Sequence, residues 1–80
     1  MQNTKQEEKT ELARLESLAE TAYEAVLSSP GRGAVHGNFS EMKSAFHRAM
    51  GFAREHGFTM DEKRLDARLD EIRARMDRMS

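Results

Sequence analysis

Three runs of apolar residues at helical spacing organise the chain, and no useful stretch alternates with the two-residue period of a strand. In the first, Leu12, Leu15, Ala19, Ala22 and Val26 step by 3, 4, 3 and 4, the seam of a helix packing lengthwise against another. Leu18, Tyr23 and Leu27 are expected to widen it. In the second, Met42, Ala45, Phe46, Ala49, Met50, Phe52 and Ala53 spread over roughly 160° of a helical wheel. One neighbour cannot cover so broad a face, so this run predicts the middle layer of the fold. In the third, Leu65, Leu69, Ile72, Met76 and Met79 step by 4, 3, 4 and 3, a narrow seam with charges on both sides.

Local signals bound these runs. Thr4 and Glu7 have the spacing of a capping box, in which hydroxyl and carboxylate satisfy free N–H groups at a helix start. The only proline and three of the glycines fall in SSPGRGAVHGNFS, so a glycine-rich loop is predicted over 28–39. Asn38 or Ser40 then caps the second helix. In REHGFTMDEKRLD, Gly57 suits a left-handed helix stop, Phe58 is placed to fold back on Ala53, and Thr59 with Glu62 repeats the capping box. The pattern predicts one all-α domain over 1–80, a three-helix bundle or helical hairpin-type fold. Its helices run roughly over 4–28, 39–56 and 60–79. Leu12, Leu15, Val26, Phe46, Phe52, Phe58, Leu65, Leu69, Ile72 and Met76 are the expected packing residues.

An 80-residue chain buries only about 60–65% of its extended surface, so assembly into a homo-oligomer is expected. Cysteine is absent, which removes disulfides and thiolate metal sites. The polar start MQNTKQEEKT does not read as a signal peptide, and no apolar run would span a bilayer. A cytoplasmic protein without membrane contact is expected.

Charge is dense but balanced, with a formal net of −1, so the molecule as a whole offers no attraction to phosphate. Its placement says more. A parallel zipper of the last helix with itself would oppose Asp61 to Asp66 and Arg68 to Arg73. The first helix instead carries Glu11 and Glu16 on its flanks, so the first and third helices are expected to meet. The long glycine-rich connection permits either a folded-back hairpin or exchange between chains.

Candidate chemistry is sparse. No nucleophile has a base at usable spacing, and no enzymatic activity is expected. His36, His47 and His56 lie eleven and nine residues apart, which gives no shared metal site. GRGAVHG has glycines ahead of a helix but lacks the Gly-Lys-Ser/Thr ending of a phosphate loop, so no cofactor is expected. REHGFTMDEKRLD has the outline of a helix-turn-helix, yet Asp61 and Glu62 would meet a nucleic-acid backbone with the wrong sign. What remains is a row of Arg64, Arg68 and Arg75 and the methionines Met50 and Met60, whose flexible thioethers suit an adaptable binding surface. The sequence therefore points to a small non-catalytic module that binds another protein through helical faces, as an adaptor, inhibitor or regulatory subunit. A nucleic-acid-binding regulator and a purely structural homo-oligomer are the alternatives.

Overall fold

Each apolar run forms one helix, as its spacing requires. The computed structural model describes residues 4–28 and 32–79, with side chains over 5–28 and 37–78. Within these residues the chain is all-α: α1 Thr4–Leu27, α2 Arg32–Glu55 and α3 Thr59–Met79, with no strand. The Thr4 hydroxyl of the first capping box, the His36 ring and the Met79 side chain lie outside the described residues.

The seams form one core. Leu12, Leu15, Ala19, Tyr23 and Val26 of α1 are buried with Met42, Phe46, Ala49, Met50 and Ala53 of α2 and Leu65, Leu69 and Ile72 of α3. Phe52 and Met76 pack half-buried at its edge. The middle helix contacts both neighbours, more extensively on the α1 side. Its broad face needs both covers, and at roughly 1.5–3 kcal/mol per fully buried large side chain this face is the main source of stability. Two expectations fail on α1: Leu18 and Leu27 are each 48% exposed and do not widen the seam.

α2 begins earlier than predicted. The sequence predicts a loop over 28–39, but the chain is already helical at Arg32, through Gly33 and Gly37. Each of those glycines costs about 1 kcal/mol relative to alanine. Docking onto α1 overrides that penalty. Asn38 Nδ2 donates to the Ala25 carbonyl at 3.5 Å, Phe39 packs against the core, and every added helical residue adds a backbone hydrogen bond once the helix is nucleated. α1 ends at Leu27 and α2 begins at Arg32, and α2 runs back antiparallel along α1.

The α2–α3 corner is set by Gly57, whose φ of 77° lies in the left-handed region. The Phe58 amide donates to Ala53 O at 2.7 Å and the Gly57 amide to Arg54 O at 3.2 Å, the paired bonds of a Schellman motif. Phe58 and Ala53 are both buried, as the sequence predicts. The Thr59–Glu62 capping box does not form. The Phe58 carbonyl already accepts from the Glu62 amide at 3.0 Å, so α3 starts one residue early. The Glu62 carboxylate instead takes Arg54 of α2 at 2.6 Å, an ion pair that spans the corner. The result is a rod 50 × 19 × 13 Å across its principal axes. Its 5683 Å² of surface exceeds the roughly 4900 Å² usual for this mass.

Candidate interaction surface

α1 and α3 run in the same direction and are joined by side chains alone; their backbones stay farther apart than those of either helix and α2. Lys9 reaches Asp61, Glu16 takes Arg64, Glu20 takes Arg68, and the Tyr23 hydroxyl accepts from Arg75 at 3.0 Å. These contacts follow one another up both helices, which fixes the parallel register. Arg64 is held by both carboxylate oxygens of Glu16, with Nη2–Oε1 at 2.8 Å, in the two-pronged geometry that makes arginine the stronger carboxylate partner. Arg68 Nε lies 2.9 Å from Glu20, its guanidinium sits over the Tyr23 ring at 5.3 Å, and it also reaches Glu71.

The predicted meeting of α1 and α3 therefore occurs, with Glu16 in the expected place. Glu11 does not take part. It accepts from Arg14 one turn on within α1, because the bridging flank runs through Glu16, Glu20 and Tyr23. Besides Lys9, sequence reasoning missed Glu20 and Tyr23. Their spacing of four and seven from Glu16 was the available signal.

The arginine row is thus not an open cationic face. Arg64, Arg68 and Arg75 are each engaged by one of the chain's own acidic or phenolic groups, while half of the Arg64 side chain stays in solvent. Glu16 and Asp61 hold the Arg64 guanidinium above its ordinary value, Glu16 first. The Asp61 carboxyl is held below the usual carboxylate range, chiefly by the hydrogen bond from Lys9 against the opposing pull of burial, with Arg64 adding to it.

The methionines divide. Met50 is only 7% exposed and belongs to the core, since the α2 face is wide enough to carry it inward. Met60 is 81% exposed at the start of α3.

At the corner end of the bundle, Lys5 and Lys9 lie over the Phe58 ring at 5.2 and 4.5 Å. The His56 ring lies against Phe52, centroids 4.3 Å apart and tilted by 39°, with its Nδ1 3.2 Å from Glu8. These contacts tie the first turns of α1 to the corner. His47 is exposed elsewhere on α2, and among the described residues no three metal-ligating groups converge. The outer face of α2 carries a shallow depression of about 280 Å³ lined by Ser40, Glu41, Ser44, Ala45 and Arg48. Among the described residues no helix is long and apolar enough to cross a membrane.

Comparison with protein families, with curated proteins and with solved structures finds no match to this chain.

Proposed function

We propose that this chain acts in the cytoplasm as a non-catalytic helical binding module, an adaptor, inhibitor or regulatory subunit that engages another protein through an outward helical face. The observation that carries this reading is Met60, a large apolar side chain standing 81% exposed on the first turn of a helix whose Leu65, Leu69 and Ile72 are buried and whose Met76 is half-buried. Lys63 and Ala67 follow it at helical spacing and are exposed too. A strip of this kind suits an apolar pocket with an acidic rim, because the thioether adapts its shape to the pocket while the ammonium meets the rim. The arginine row and the α2 face contribute indirectly, by holding α3 in place. Capture from native lysate on the immobilised full chain, followed by titration with the captured protein, tests this. Met60→Glu should weaken binding by about tenfold or more. Equal binding by the two proteins would overturn the reading, as would the absence of any specific ligand.

A further inference from the structure

We propose that the outer face of α2 is a self-recognition surface, on which a second copy of this chain docks its own α2 antiparallel about a two-fold axis at Ser44. This inference stands apart from the Met60 reading, since it concerns a different helix and needs no other protein.

The charges point to this occupant. Glu41 and Arg48 are exposed, lie on one flank of the outer face, and are seven residues apart, too far to pair along one helix. Neither has an ionic partner within the described residues, whereas Arg64 and Arg68 of the α1–α3 seam pair with Glu16 and Glu20. A two-fold axis perpendicular to an antiparallel helix pair brings like flanks together with their order reversed. Glu41 of each copy then lies beside Arg48 of the other, two identical ion pairs from one self-complementary patch. A parallel pairing in register would oppose like charges instead.

The shape of the face is a separate observation. Gly37, Ser44 and Gly51 follow one another every seven residues along the middle of this face. A Cβ added at Gly37 or Gly51 would meet nothing within 4 Å, so this chain's own packing leaves room for at least alanine at either helical position. The same axis sets Gly37 of one copy against Gly51 of the other and Ser44 against Ser44. Small residues at those layers let the helix backbones approach closely, and around the central layer the surface dips into the shallow depression lined by Ser40, Glu41, Ser44, Ala45 and Arg48.

The chain has no cysteine, so a single Ser44→Cys substitution in the full-length protein reports directly on the axis. Under mild oxidation with diamide, it should crosslink rapidly into a covalent dimer, because a disulfide needs Cα atoms within about 7 Å. Asp70→Cys, on the exposed side of α3, should crosslink only at the slow rate of random collision. Sedimentation equilibrium supplies the second arm. Arg48→Glu should raise the dimer dissociation constant about tenfold, and the double exchange Glu41→Arg with Arg48→Glu should bring it back to within about threefold. Circular dichroism confirms that each variant remains helical. A chain that stays monomeric at all concentrations overturns the proposal. So does a dimer indifferent to the charge reversals, or one that crosslinks as fast through residue 70 as through residue 44.

Discussion

α1 meets its two neighbours by opposite means. Against α2 it packs backbone-close, with the buried seam from Leu12 to Val26 contributing to a shared core. Against α3 the backbones stand off and the gap is bridged by Lys9, Glu16, Glu20 and Tyr23. The first contact removes apolar surface from water and scales with area. The second exchanges hydration of charges for ion pairs that keep half of Arg64 in solvent, and such pairs are worth little net energy. They are selective, however: a shift of one residue along the helix would place several of them out of reach. The apolar seam holds α1 down, and the charged one decides how α3 lies beside it.

The largest effect should come from cutting the apolar side of this comparison. Phe46→Ala removes a fully buried ring from the middle helix and should lower unfolding free energy by about 3–5 kcal/mol. Urea denaturation measures it, and a loss below about 1 kcal/mol would mean that the α2 face is not the principal source of stability. The charged side should respond far less. In a double-mutant cycle between Glu16→Gln and Arg64→Met, the coupling should be about 0.5–1 kcal/mol in low salt and fall toward zero in 1 M salt, whereas the Phe46→Ala loss should not shrink with salt. A coupling that salt leaves intact would show the seam to be drier than its exposure indicates.

The smallest effect concerns pH. The folded-state pKa of Asp61 lies below its unfolded value near 3.8, so the folded state binds that proton more weakly. Its contribution is complete well above the unfolded value and disappears as pH falls through the depressed folded value. Acid titration of stability should therefore be shallower below pH 4 in Asp61→Asn than in the unmodified chain. Identical slopes would remove Asp61 from the acid response.

Much of this fold is legible in the residues themselves. The 3-and-4 spacing of Leu12 to Val26 and of Leu65 to Ile72 fixes two helix faces. The width of the Met42–Ala53 face requires two neighbours, and Gly57 with Phe58 marks the corner down to its pair of backbone bonds. The candidate surface was less legible. A row of arginines reads the same whether it faces solvent or a neighbouring helix, and only the position of Glu20 and Tyr23 alongside shows that it is taken. Met50 and Met60 are alike as residues, and their difference is one of angle around their helices.

Sequence alone determined what depends on neighbours along the chain: helical periodicity, the left-handed stop at Gly57, and the apolar identity of the core. Tertiary structure decided whatever depends on which helix lies opposite. It carried α2 back through two glycines to Arg32, because docking on α1 outweighs a small loss of helix propensity. It left Leu18 and Leu27 in water and turned Met50 inward. It sent Glu62 to Arg54 in place of a cap, and gave the α3 arginines to Glu16, Glu20 and Tyr23. A long charged side chain can satisfy itself in many directions at nearly equal free energy, so its partner is settled only when the apolar seams have placed the helices.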